Sequence, residues 1–136
     1  MKGQFWKWRM HGGAVTLARK FNKMKWKPDL IFATDMLDLT TFLSLTRKKS
    51  NGIPTAIYFH ENQLSYPWSP TDRDKQKNRD IHYGFINYSS ALSADKVFFN
   101  SGFHKESFID HLYSFLKQFP DHQELDTVKE IREKSE

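Results

Sequence analysis

The sequence predicts an α/β protein, a parallel sheet with helices flanking both faces. Two observations carry this prediction. Short apolar, β-branched and aromatic runs alternate with longer stretches of helical periodicity, and such alternation is typical of parallel sheets joined by helical crossovers. The length of 136 residues suits one domain. Because only about three strands are visible, and so small a parallel sheet leaves open edges, we expect this chain to be part of a larger fold.

Three runs are predicted to be buried strands, because each is apolar and is bounded by turn residues or charges. They cover residues 30–34, 54–59 and 96–100. In open α/β sheets, ligands bind in the crevice outside the carboxyl ends of the strands. Polar residues follow each of these ends: Asp35 after the first, the cluster 60–63 after the second and Ser101 after the third. We therefore expect a site at this edge of the sheet.

Helical stretches precede, separate and follow the strands. The first is expected to open at Gly12 and Gly13 and to end before Pro28, since the residue before a proline disfavours helix. Asp35 is expected to cap the second helix, which the turn at residues 51–52 closes. The apolar stripes of the next two helices comprise Ile81, Phe85, Tyr88 and Leu92, and then Phe108, Leu112, Phe115, Leu116 and Phe119.

The last segment differs in composition from the rest of the chain. From Asp121 onward there are six acids against three bases, and few apolar residues. We interpret residues 121–136 as a polar helical tail or linker with little to bury.

The first 27 residues are basic and aromatic. They contain eight Lys or Arg residues and no acid, with three tryptophans among them. Such a surface can bind nucleic acid, anionic lipid or a nucleotide diphosphate; the alternative is a solvated helix face with the tryptophans packed inside. The residues predicted to contact phosphate or tRNA are Lys7, Arg9, Gly12, Gly13, Lys23, Lys25 and Lys27. The two glycines would let the backbone at a helix amino terminus approach a phosphate.

Other classes of protein are disfavoured by what the sequence lacks. The absence of cysteine removes disulfides and thiolate chemistry and favours a reducing compartment, the cytoplasm or the nucleus. No run approaches the roughly 20 apolar residues of a membrane span, so no membrane contact is expected. The histidines show no HExxH or comparable spacing, so no metal is predicted. The spacing of Glu61 and Asp35 does not support a glycosidase pair, and no GxSxG marks a serine hydrolase.

Several long segments carry a resemblance to one family. They are WKWRMHGGA, PDLIFATDMLDL, GIPTAIYFHENQLSYPWSP, HYGFINYSSALSADKVFFNS and FHKESF. Together they cover nearly the whole chain up to Phe119, which resembles the amino-terminal domain of the tRNA-queuosine α-mannosyltransferase family of GT-B glycosyltransferases. FHENQLSYPWSP and NYSSALSADKVFFNS are the specific segments, whereas PDLIF followed by Asp occurs in many GT-B enzymes.

The resemblance implies two Rossmann-like domains around a cleft, with tRNA and a nucleotide sugar as partners and retention of anomeric configuration. GDP-mannose would be the donor substrate, held mainly by a carboxyl-terminal domain, and no cofactor is implied. His60 matches a histidine that similar enzymes place at a strand end facing the donor, and we predict His60 and Glu61 to be catalytic. Glu61 would hold His60 in one tautomer or bind acceptor hydroxyls. The predicted substrate-binding residues are Asn62, Gln63, Ser65, Tyr66, Asp35 and Ser101.

The resemblance also implies that the chain is a fragment, in which residues 1–120 form an incomplete amino-terminal Rossmann-like glycosyltransferase domain. The donor-binding domain is missing, and family members usually begin with a strand and a glycine-containing loop that would precede WKWRMHGGA. We therefore expect no sugar transfer by this chain unaided. The alternative function is a non-catalytic module of the same fold that binds nucleic acid or another anionic ligand.

Overall fold

Helices and strands alternate along the chain, as seen in a computed structural model that describes residues 6–65 and 81–136. The elements of this described part are α1 (Trp6–Lys23), β1 (Ile31–Thr34), α2 (Leu39–Ser50), β2 (Thr55–Phe59), α3 (Ile81–Ser93), β3 (Lys96–Phe99), α4 (Gly102–Leu116) and α5 (Asp126–Glu133). The predicted α/β class is confirmed, and each predicted strand agrees to within one residue at either end. Within the described ranges, no helix combines the length and apolarity needed to cross a membrane.

The three strands form one parallel sheet in the order β1-β2-β3. Strands that are consecutive in sequence are neighbours in the sheet, so right-handed crossovers place α2 and α3 on the same face. Side chains on that face, among them Ile57, Phe59, Val97 and Phe99, join a core to which all five described helices contribute. On the opposite face Phe32 is 58% exposed. The core of the described part thus lies on one face of the sheet and not, as predicted, on both.

Helix α1 begins earlier than the sequence predicts. Gly12 and Gly13 lie in its second turn and not at its amino terminus, which is a correction to the predicted helix start. The extra turn is anchored by Met10, which is fully buried and packs with Tyr83 and Ile86 of α3. This burial offsets the cost of a glycine in a helix interior, about 1 kcal/mol relative to alanine. Because the glycines are helical, they do not form the predicted phosphate-binding helix terminus.

Helix α2 is capped by Asp38 and not, as predicted, by Asp35. The Asp38 carboxylate accepts hydrogen bonds from the backbone N–H of Thr41 at 2.9 Å and from the hydroxyls of Thr40 and Thr41 at 2.6 and 2.7 Å. Burial alone would raise the pKa of Asp38, but these hydrogen bonds outweigh burial and lower it. The helix ends at Ser50, and Gly52 adopts φ 73°, as the predicted turn requires. Asp35 does not cap this helix, and its carboxylate contacts His60.

The buried face of α3 is more polar than predicted. Ile81 and Phe85, assigned to its apolar stripe, are 47% and 45% exposed, whereas Asn87 and Ser90 are fully buried. Ser90 Oγ accepts a hydrogen bond from the backbone N–H of Leu39 at 3.1 Å and so fastens α3 to the start of α2. Asn87 begins a glycosylation sequon, but the burial of its side chain leaves no room for a glycan.

The acidic carboxyl-terminal segment packs onto the domain. It is helical, as predicted, but Val128 and Ile131 of α5 are 7% and 0% exposed and belong to the core. Beyond α5 the chain runs beside β3: Val97 N–H donates to the carbonyl of Lys134 at 3.1 Å, and Glu136 N–H donates to the carbonyl of Val97 at 2.9 Å. The expectation of little to bury does not hold, because two apolar residues three positions apart suffice to dock one helix face.

Candidate functional site

Polar residues meet at the carboxyl ends of the three strands. Asp35, His60 and Asn100 directly follow β1, β2 and β3, and neighbouring parallel strands end side by side. Beneath them, the rings of Phe59 and Phe99 stack with their centroids 5.3 Å apart and are buried in the core. This aromatic packing stabilises the ends of β2 and β3, to which the polar residues are attached.

Asp35 and His60 are paired across the ends of β1 and β2. The Asp35 carboxylate is 1% exposed, and its Oδ1 lies in close contact with Nδ1 of His60, whose side chain is 50% exposed. The sequence suggested that Glu61 orients His60, but the structure assigns this contact to Asp35. When Nδ1–H is donated to Asp35, Nε2 is the ring nitrogen that stays available to a ligand.

The Asp35 carboxyl is electrostatically perturbed. Burial raises the pKa of Asp35 to about 6 from its ordinary value of 3.8. The charge of His60 and the hydrogen bonds that it donates lower this pKa, but by less than burial raises it. A carboxyl that titrates near neutral pH and contacts an imidazole can exchange a proton with it, as acid–base sites require.

His104 and two asparagines link the loops after β2 and β3. Asn62 Nδ2 donates to Nε2 of His104 at 2.7 Å, and Nδ1 of His104 donates to Oδ1 of Asn100 at 3.0 Å. Asn100 Nδ2 in turn donates to the backbone carbonyl of His60 at 2.9 Å. These bonds require a neutral imidazole with its proton on Nδ1. Burial, together with the nearby charge of His60, lowers the pKa of His104 and favours that neutral form.

The loop after β2 is shaped by Asn62 and by Asn87 of α3. Asn62 is 3% exposed, and its Oδ1 accepts from the backbone N–H and the hydroxyl of Ser65 at 2.9 and 3.1 Å. Asn87 accepts from the backbone N–H of Gln63 at 2.8 Å and donates to the carbonyl of Asp35 at 3.0 Å. Both ends of the Asn62 side chain are thus engaged within the protein, and Asn62 organises the loop.

An open cleft of about 360 Å³ lies between this loop and the first turns of α4. It is lined by His60, Glu61, Asn62, Ser65, Asn100, Ser101, Phe103, His104 and Ser107. Ser101 caps α4 by accepting a hydrogen bond from the backbone N–H of His104 at 3.1 Å, so the cap predicted for Ser101 is confirmed. The volume falls within the range of small-molecule sites, and hydroxyl, imidazole and carboxylate groups face the space.

Two predicted substrate-binding residues do not line this cleft. Gln63 is 6% exposed and borders a different cavity, between the loop and α4. Asp35 is not among the residues that line the cleft; it is 1% exposed and contacts His60, which does line it. A third such residue, Tyr66, lies outside the described residues.

The predicted phosphate-contacting residues are divided between the two edges of the sheet. Lys7 and Arg9, like the two glycines, lie in the first turns of α1. Because α1 ends just before β1 begins, these turns lie toward the carboxyl edge, where the cleft is. Lys23, Lys25 and Lys27 follow at the other end of α1 and so lie at the opposite, amino-terminal edge. The structure therefore separates these three lysines from His60.

The site also contains potential metal ligands. Asp35, His60 and Glu61 each offer a donor atom within 4.8 Å of the others, a set able to hold a divalent cation. The sequence motifs gave no indication of this cluster, since its members come from two strand ends.

Three residues that organise the site were missed by the sequence analysis: Asn87, Asn100 and His104. Asn87 is 52 residues from its partner Asp35, and His104 is 42 residues from Asn62, so no local pattern relates them. Asn100 could have been found, because it follows the third strand as His60 follows the second.

Comparisons with known proteins identify a family model and a relative that match this sequence. The family model described as tRNA-queuosine alpha-mannosyltransferase N-terminal matches residues 1–136. A tRNA-queuosine alpha-mannosyltransferase of Drosophila melanogaster is 36% identical over 131 residues, which is 96% of this chain and 32% of the relative, so the chain spans about a third of that protein's length. No solved structure matches the chain. Because the family match extends over every element that builds the cleft, the chain belongs to the tRNA-queuosine alpha-mannosyltransferase family and corresponds to its N-terminal region.

Proposed function

We propose that this chain forms the acceptor-side part of a retaining GT-B glycosyltransferase that transfers mannose from GDP-mannose to queuosine in tRNA. The observation that carries the proposal is the Asp35–His60 pair at an open polar cleft outside the carboxyl ends of a parallel sheet. Membership of the family adds the kind of reaction, since the relative is named as a tRNA-queuosine alpha-mannosyltransferase.

Different residues of the cleft bind the donor and the acceptor. His60 presents Nε2 to the donor sugar or its diphosphate, because Asp35 holds Nδ1 and sets the ring orientation. Glu61 and Ser65, both half-buried, offer hydrogen bonds to ribose or cyclopentenediol hydroxyls of the acceptor. Ser101 contributes a hydroxyl at the amino terminus of α4, where the helix dipole favours a phosphate.

The test is transfer of mannose to tRNA that contains queuosine. The product of the complete gene and the 136-residue chain are each incubated with GDP-mannose and that tRNA, and mannose on the tRNA is measured. We expect transfer by a product of the relative's full length, and a loss of at least about 100-fold for His60→Ala, the lower end of the contribution of one positioned proton-transfer group. His111→Ala is the matched control, because His111 is an exposed histidine of α4 that does not line the cleft. Equal activity of the two variants would refute the role of His60.

A second function, the non-catalytic binding module, is favoured by the cations that lie far from the cleft. It predicts that tRNA binds to the complete gene product and to the 136-residue chain without any transfer of mannose. His60→Ala would then leave the affinity for tRNA unchanged. Transfer that depends on His60 excludes this alternative.

A further inference from the structure

A basic surface is assembled at the amino-terminal edge of the sheet, opposite the cleft. It consists of the ends of α1 and α2 and the loop that leads to β1, residues 19–29 and 44–51. These ranges contain eight Lys or Arg side chains against one acid, Asp29. The cations that make no hydrogen bond or ion pair within the described ranges include Lys23, Lys25, Arg47 and Lys48, and all four are exposed.

The surface is held together by the two lysines that do have partners. Lys49 Nζ donates to the carbonyl of Phe21 at 2.9 Å and also contacts the carbonyl of Met24. Lys27 Nζ donates to the carbonyl of Asn51 at 2.9 Å. These contacts of Lys49 and Lys27 connect the end of α1 and the loop after it to the end of α2. The free cations of the two segments are therefore presented together on a fixed backbone.

Helix dipoles do not account for so much charge. Cations near a helix carboxyl terminus compensate about half a negative charge at each end, so α1 and α2 together neutralise about one of the eight. Subtracting Asp29 as well leaves a strong positive excess. A surface of this kind attracts a polyanion and not a single small ligand.

An exposed aromatic ring indicates which kind of polyanion this surface binds. Trp26 is 62% exposed, and it lies between the two tied points of the loop, Met24 and Lys27. A groove of about 310 Å³ lies next to Arg47 and Lys48 and is bordered by Asn22 and Ser44. Cations for phosphates combined with an exposed ring for an unpaired base are typical of surfaces that bind single-stranded nucleic acid.

We infer that residues 19–29 and 44–51 form an RNA-binding surface, separate from the cleft, that holds the phosphates and an unpaired base of the acceptor RNA. The identity of that RNA as tRNA rests on the proposed function. The surface lies at the amino-terminal edge of the sheet, whereas His60 lies at the carboxyl edge. It therefore binds the RNA at a distance from the reacting group and contributes affinity without touching the sugar.

The experiment measures binding of unmodified tRNA to the complete gene product at several salt concentrations by fluorescence anisotropy. Each lost phosphate contact reduces the slope of log affinity against log salt by about 0.7–0.9. Arg47→Gln/Lys48→Gln is therefore expected to reduce it by about 1.4–1.8, and the affinity near 0.1 M salt by at least about tenfold. Lys117→Gln/Lys129→Gln removes the same charge from the residue that follows α4 and from α5, and is expected to leave the slope unchanged. Equal slopes for the two double variants would overturn the inference.

Trp26→Ala supplies a second measurement. Loss of one stacked base weakens binding to a single-stranded RNA by about fivefold or more, whereas binding to a duplex of the same length stays within twofold. Equal weakening for both RNAs, or none, contradicts a stacking role.

Failure of the inference and failure of the proposed function can be told apart. His60→Ala is expected to reduce mannose transfer by at least about 100-fold and to leave the salt slope intact. If transfer depends on His60 but the basic variants bind normally, only the RNA surface is wrong. If the basic variants lose RNA binding and no form transfers mannose, only the proposed reaction is wrong.

Discussion

At the scale of single residues, Asp35 contacts His60 and is itself electrostatically perturbed. Its carboxyl is buried and its pKa is raised to about 6, so the folded protein binds this proton more tightly than the unfolded chain does. The stability contributed by this proton is fully present below pH 3.8 and is lost as pH rises through about 6. Ionised Asp35 beside His60 therefore lowers the free energy of unfolding at neutral pH, because its charge is buried.

Asp35→Asn tests this cost, because asparagine has no charge to bury. The shift from 3.8 to about 6 corresponds to about 3 kcal/mol. The difference in free energy of unfolding between the variant and the unsubstituted protein should therefore increase by about that amount, in favour of the variant, as the pH rises from 4 to 7. Urea denaturation of both proteins at steps of one pH unit measures it. Parallel curves for the two proteins would show that Asp35 is not perturbed in the fold.

At the scale of elements, helix α1 shows where local pattern and packing differ. Glycines predict a helix boundary, but Met10 is buried against α3 and carries the helix past them. A Cβ added at Gly13 would meet nothing within 4 Å, whereas one at Gly12 would lie 2.8 Å from the ring of Trp8. The two adjacent glycines thus occupy different environments within one helix.

Gly13→Ala is expected to stabilise the protein by about 0.5–1 kcal/mol, because alanine has the higher helix propensity and fits without a clash. The gain is measured as the free energy of unfolding in urea. Gly12→Ala is the matched comparison and should gain less, since Trp8 must move. A loss of RNA binding or mannose transfer in Gly13→Ala would be a separate result, and it would support the predicted approach of this backbone to a phosphate.

At the scale of the whole molecule, the acidic end of the chain is part of the cooperative domain. Ile131 is fully buried in the same core as the sheet, and the residues beyond α5 bond to Val97 of β3. A tail would unfold independently of the rest. An integrated helix should unfold with the sheet, in a single transition.

Ile131→Ala is therefore expected to lower the free energy of unfolding of the whole chain by about 2–5 kcal/mol, the usual cost of removing a buried isoleucine side chain. Urea unfolding followed by both far-ultraviolet circular dichroism and tryptophan fluorescence measures the change. Lys129→Ala, on the exposed side of α5, is the control and should cost under about 0.5 kcal/mol. A negligible effect of Ile131→Ala would identify α5 as a tail.

The sequence by itself determined the features that depend on neighbouring residues. Strand bounds, the turn at Gly52 and the position of His60 at a strand end follow from apolar runs and turn residues. It did not reveal that Asp35, not Glu61, holds His60, or that Asn87 and His104 organise the loop. These partners are 25 to 52 residues apart in the chain, and only the tertiary fold brings them together. The same holds for Lys23 and Arg47, because the packing of α1 against α2 decides which charges share a surface.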